Sequence, residues 1–137
     1  MWRRTQNLFH SLVTHGVLSP DILLRCQVNR KLRHRLELAQ EEWFETFWKQ
    51  ESISPALSEF VYDHLPRYSG LHVARLKPSD RLEADLCWTQ VCWFDWEMDL
   101  YDDFLRCFGK DISEEFDFGT VKTLADLMQS LACYLGL

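Results

Sequence analysis

Four aspartates stand close together at Asp95, Asp99, Asp102 and Asp103. At about 100° per residue they share, with Arg106, roughly 100° of a helix surface. Clustered like charge steers cationic partners and raises their association rates. The arc is therefore read as a partner-recognition surface, for a protein with a basic face. Carboxylates could also hold calcium, and Asp95-x-Glu97-x-Asp99 begins like a calcium loop. Leu100 and Arg106, however, stand where such a loop needs glycine and glutamate, and no metal is expected. The opposite charge gathers at Arg30, Lys31, Arg33 and Arg35, with Arg25 and His34 on the same stretch. This patch offers a contact to the acidic arc or to a partner. Nucleic acid is not expected there, because a net charge of −6 opposes binding to phosphate backbones.

Other reactive side chains are scattered. The five cysteines (Cys26, Cys87, Cys92, Cys107, Cys133) are odd in number and include no CxxC pair, as in a chain whose thiols stay reduced in a cytoplasm. None of the five histidines is paired at i, i+3 or i+4. No glycine-rich phosphate loop and no nucleophile with a positioned base is present, so the expectation is a protein that is not an enzyme and needs no cofactor.

These residues need elements to hold them. The 137 residues are 47% hydrophobic and 14% aromatic, with six Trp, the composition of one small globular unit. Charge is divided unevenly. Residues 1–50 carry eight Lys/Arg against five Asp/Glu, a balance of +3, and residues 51–137 carry seven against sixteen, a balance of −9. The division suggests a basic arm, 1–51, before an acidic domain, 52–137. No run approaches the ~20 apolar residues of a membrane span. Asn7, His10 and His15 interrupt the apolar run that a signal peptide would need.

The punctuation predicts helices. Gly16 closes a short helix over about 3–15. Ser19-Pro20-Asp21 opens the next, whose stripe of Leu24, Val28, Leu32, Leu36, Ala39, Trp43 and Phe47 predicts one long rod to about Lys49 that bends back or projects. The aromatic cluster Trp43, Phe44, Phe47 and Trp48 packs on the domain or in a helix dimer. Ser54-Pro55 starts a helix ending near Pro66. Residues 71–81 read as irregular. A helix follows from about Phe94 to Phe108, stopped by Gly109, then a turn over 113–118, then a last helix from about Thr120 to Leu135. Strand alternation is absent, so the fold class is all-α.

Three motifs stand in order within this plan: Leu82-Glu83-Ala84-Asp85-Leu86; Phe108-Gly109-Lys110-Asp111-Ile112; and Thr120-Val121-Lys122-Thr123-Leu124-Ala125-Asp126-Leu127. Helix, long loop, helix, turn and helix carrying these motifs resemble the acyl carrier protein family over about residues 55–135. The resemblance implies a small helical bundle whose second helix docks partners. In that family a serine a few residues after the D-L pair, within a D-S-L run, carries phosphopantetheine. Counting forward from Leu86 puts this position at Gln90, and counting back from Phe108 puts it at Phe94, so the anchors are about four residues too far apart. From Leu86 to Ile112 there is no serine, and Thr89 is the one aliphatic hydroxyl. A bacterial acyl-carrier-like family, the domain of unknown function 1493, is similar in often lacking the serine and in the segment 111–118.

The sequence thus predicts a cytoplasmic, non-enzymatic, acyl-carrier-like interaction domain behind a helical arm. Asp95, Asp99, Asp102, Asp103, Arg30, Lys31, Arg33 and Arg35 are its candidate partner contacts, and phosphopantetheine attaches at Thr89 only if the chain is a working carrier. The third alternative is a helical adaptor whose arm forms a homodimer. No membrane partner is expected.

Overall fold

The structure, a computed structural model, describes residues 19–136. The short helix expected over 3–15 lies outside them. The described chain is all-α, with six α-helices and three 3₁₀ turns. Its one extended pairing is a lone antiparallel bridge between Arg81 and Thr123.

Helix α1, Ile22–Leu32, starts two residues later than Ser19-Pro20 suggests. The Asp21 carboxylate accepts from the Leu24 N–H at 2.9 Å, making Asp21 the cap. The predicted rod does not run on to Lys49. It breaks after Leu32, and residues 36–39 have no regular structure, with Ala39 in the extended region, before α2, Gln40–Trp43. Long-range hydrogen bonds account for the break. The Arg75 guanidinium donates to the carbonyls of Arg33 (3.1 Å) and Arg35, satisfying acceptors that would otherwise have to stay in the helix ladder. Leu38 N–H donates to Ala74 C=O at 3.1 Å.

Helix α2 widens into a π turn, Phe44–Trp48, and closes in a 3₁₀ turn, Lys49–Glu51. Two tryptophans five residues apart would lie about 140° apart on an α-helix, and i→i+5 bonding brings them nearer one face. Trp43 and Trp48 are both fully buried, edge to face at 5.4 Å. They pack inward rather than offering a dimer surface.

Helix α3, Pro55–Ser69, is capped by Ser54, whose hydroxyl accepts from Leu57 N–H at 3.1 Å. It runs through Pro66 to Ser69, three residues past the expected end, because the last turn is anchored by buried Tyr68 and closed by Gly70 at φ +70°. A 3₁₀ turn, Val73–Arg75, and the four-residue α4, Trp88–Val91, punctuate the long loop. Helix α5, Trp96–Phe108, ends at Gly109 (φ +71°). After a third 3₁₀ turn, Phe118–Thr120, helix α6 covers Leu124–Cys133, opened by a capping box between Thr123 and Asp126.

Helix α3 packs against α5 and α6. One buried cluster joins their apolar faces to loop residues Leu71, Leu76, Leu82, Leu86 and Trp88, and to Val28, Leu32, Trp43 and Trp48 from before residue 52. The residues expected as an arm therefore bend back onto the bundle. Helix α1 is fastened by Asp21 N–H to Gln90 C=O (2.9 Å) and by the Arg25 guanidinium on Val91 C=O (2.6 and 3.1 Å). Asn29 then bridges Gly70 C=O and His72 N–H.

Candidate functional site

The acidic arc of α5 does not face solvent as predicted. Asp95, Asp99 and Asp103 are 8%, 4% and 3% exposed, and Asp102 alone of the four is exposed. The apolar arc of this helix is wide enough that either flank could be buried, and the flank that turns in carries Trp96, Leu100 and Phe104 with Asp99 and Asp103 beside them. Polar partners make this tolerable. The Tyr68 hydroxyl donates to Asp103 Oδ2 at 2.6 Å, and the Arg106 guanidinium pairs with Oδ1, which raises the Arg106 pKa. Glu97, in the first turn of the same helix, accepts from the Tyr101 hydroxyl at 3.0 Å. Burial, with Glu97 adding to it, pushes the Tyr101 pKa up to about 12.

The outer face of α5 is consequently a stripe of Phe94 (50% exposed), Met98 (45%) and Leu105 (46%), with Asp102 between them. Met98 and Leu105, seven residues apart, share one side of the helix, and Phe94 stands exposed just before its start.

The basic patch is divided. Arg30, Lys31 and Arg33 are exposed at the end of α1, where cations also complement the helix dipole. Arg35 instead meets a carboxylate that the sequence reading missed. Its guanidinium forks onto Asp80 at 2.7 and 2.9 Å, and this hydrogen bonding raises the Arg35 pKa. Asp80 is 2% exposed and also accepts from Lys77 N–H at 2.8 Å. Thus Arg35 meets the long loop and not the acidic helix. A lone aspartate in Leu76-Lys77-Pro78-Ser79-Asp80-Arg81, among cations, was the available signal.

The third locus surrounds Thr89. Cys87 takes the left-handed conformation (φ +55°), turning Trp88 into the core and Thr89 outward. Thr89 N–H and Oγ1–H donate to the two oxygens of the Glu83 carboxylate, each at 2.8 Å. The pair stands at a cleft of about 450 Å³, floored by Ala84, Phe118 and Val121, with Arg81 and Lys122 on its rim. Asp85 is tied to Arg81 by hydrogen bonds of 2.9 to 3.1 Å, which hold its carboxyl below the usual range. Gln90 is exposed on α4, and Phe94 precedes α5.

Among the described residues, no three His, Cys, Asp or Glu side chains are grouped to hold a metal, and no helix is long and apolar enough to cross a membrane. All five cysteines are free thiols. Comparison with protein-family models, with curated proteins and with solved structures finds no match to this chain.

Proposed function

We propose that this chain is a non-enzymatic, acyl-carrier-like protein-interaction domain that carries no phosphopantetheine. One observation carries the reading. Leu82, Leu86, Ile112, Val121, Leu124 and Leu127, the apolar anchors of the three motifs, are all buried in one core, in carrier order, while both positions counted for a carrier serine hold residues without a hydroxyl, Gln90 and Phe94. In this reading the docking face is the outer side of α5, where Phe94, Met98 and Leu105 surround Asp102. Its partner presents an apolar patch edged with basic residues.

A carrier loaded at Thr89 is the second reading. Its support is the exposed hydroxyl beside a carboxylate able to take its proton, at the mouth of a cleft. Thr89 lies on α4 rather than at the start of α5, where the carrier resemblance implies attachment.

Incubation of the full chain with coenzyme A and a broad-specificity phosphopantetheinyl transferase decides between them. The intact mass is expected to stay unchanged. A gain of one phosphopantetheine, lost again in Thr89→Val, would replace the first reading with the second.

A further inference from the structure

The described structure begins beside the acidic helix. Pro20 is buried, and Asp21 N–H donates to Gln90 C=O of α4 at 2.9 Å. Trp88 of α4 in turn meets Trp96 of α5 edge to face at 5.7 Å. Residues 1–18, which lie outside the described structure, therefore join the fold next to the start of α5.

Their sequence suits that neighbourhood. At about 100° per residue, Trp2, Leu8, Phe9, Leu12 and Val13 fall within about 140° of a helix surface, with Asn7, His10 and His15 outside it. Arg3 and Arg4 stand on the remaining arc, and the segment holds no Asp or Glu. The helix that the sequence predicts over 3–15 matches α5 in length, about 20 Å each.

Charge decides between the apolar surfaces within reach. Ile22 and Leu23 are 57% and 70% exposed, but α1 carries Arg25, Arg30 and Lys31 and no acid, so it repels a second cationic segment. The outer side of α5 offers Phe94, Met98 and Leu105 on an element with four acids, Glu97, Asp99, Asp102 and Asp103, against one cation, Arg106. Attachment in one chain raises the effective concentration to the order of millimolar, so a weak contact suffices.

We propose that residues 1–18 dock on the outer side of α5 of the same molecule, with apolar side chains against Phe94, Met98 and Leu105 and with Arg3 and Arg4 toward Asp102. The segment then supplies in cis the basic-edged apolar patch that this face fits, and a partner protein must displace it. The inference rests on the α5 face of the proposed interaction reading and not on the carrier resemblance.

Photo-cross-linking of the full chain tests this, with p-benzoyl-phenylalanine in place of Met98 or, in a second sample, of Leu105. Isotope-labelled and unlabelled chains are mixed, to separate capture within one molecule from capture between two. Irradiation is expected to give monomeric products that join the probe to residues 1–18. The double variant Arg3→Glu, Arg4→Glu should cut their yield about three-fold or more, and adding Asp102→Lys should recover part of it. The same probe in place of Leu36, which lines a groove with Phe47 and Ala74, should capture none of the segment. Products without residues 1–18 would overturn the proposal, as would equal capture from position 36 or a yield indifferent to the charge variants. Mixed-isotope dimers would overturn it in favour of a second copy of the chain. Loss of the cross-link as the chain sediments with phosphatidylserine vesicles would overturn it in favour of a membrane contact. The coenzyme A assay does not involve residues 1–18, so the two readings fail separately.

Discussion

Asp103 illustrates how a side chain's role depends on which way its helix is rolled. Residue type and spacing correctly place Asp95, Asp99, Asp102 and Asp103 near one another, but charge alone does not say which flank of α5 meets the core. That is decided by Tyr68, 35 residues earlier, whose hydroxyl needs an acceptor once the ring is buried. Hydrophobic patterning does not register such a pairing. The consequence for stability is direct. Asp103→Ala removes the acceptor from a buried hydroxyl and a partner from Arg106, and should cost about 2–4 kcal/mol. Asp103→Asn keeps an oxygen toward Tyr68 and should cost about half as much. Urea unfolding measures both. Costs below about 0.5 kcal/mol, the scale of surface changes, would mean that the Tyr68 contact contributes nothing to the fold.

At the scale of elements, the starts and stops written in local chemistry were the legible ones. Ser54-Pro55 and Gly109 fix the start of α3 and the end of α5, and the irregular loop over 71–81 contains no α-helix, only short turns and the lone bridge at Arg81. The break after Leu32 was not legible, because it is held by Arg35, Asp80 and Arg75 across 40 to 45 residues of sequence. The spacing of apolar residues continues straight through it. The same contrast separates two glycines with nearly equal backbones. Gly70 and Gly109 both sit at positive φ, but a Cβ on Gly70 would lie 2.4 Å from the Arg25 side chain, while one on Gly109 meets nothing within 4 Å. Gly109→Ala should cost about 1 kcal/mol, the backbone term alone. Gly70→Ala should cost about 1–2 kcal/mol more, because Arg25 must give up Val91 C=O. Thermal denaturation of the two variants, with Arg25→Ala as background, checks whether the excess vanishes when the obstructing side chain is removed.

For the whole molecule, the charge division near residue 51 is visible in the sequence, but the apolar burial crosses it. Trp43, Trp48, Val28 and Leu32 are buried in the cluster that also holds Leu57, Leu76 and Leu86. Deleting large buried side chains costs about 2–5 kcal/mol each, comparable with the total stability of a small domain. A fragment of residues 52–137 is therefore expected to lose the cooperative thermal transition of the full chain. Adding residues 19–51 as a separate peptide should restore it in proportion to concentration. A sharp, peptide-independent transition in the fragment would show that the bundle stands without its N-terminal third. What neither composition nor spacing could supply was the arm's destination, since its fastenings at Gln90, Val91 and Gly70 use backbone carbonyls, which every residue has.

The π turn that brings Trp43 to Trp48 also has an optical consequence. Two indoles 5.4 Å apart and inclined at 66° couple their electronic transitions, giving a split band in circular dichroism. Trp88 and Trp96 form a second pair, 5.7 Å apart and at 89°, entirely within residues 52–137. The first couplet reports the N-terminal segment seated on the bundle and the second reports the bundle itself. If the bundle needs its N-terminal segment, the two couplets should fade together on unfolding, and a second couplet outliving the first would show the bundle standing alone.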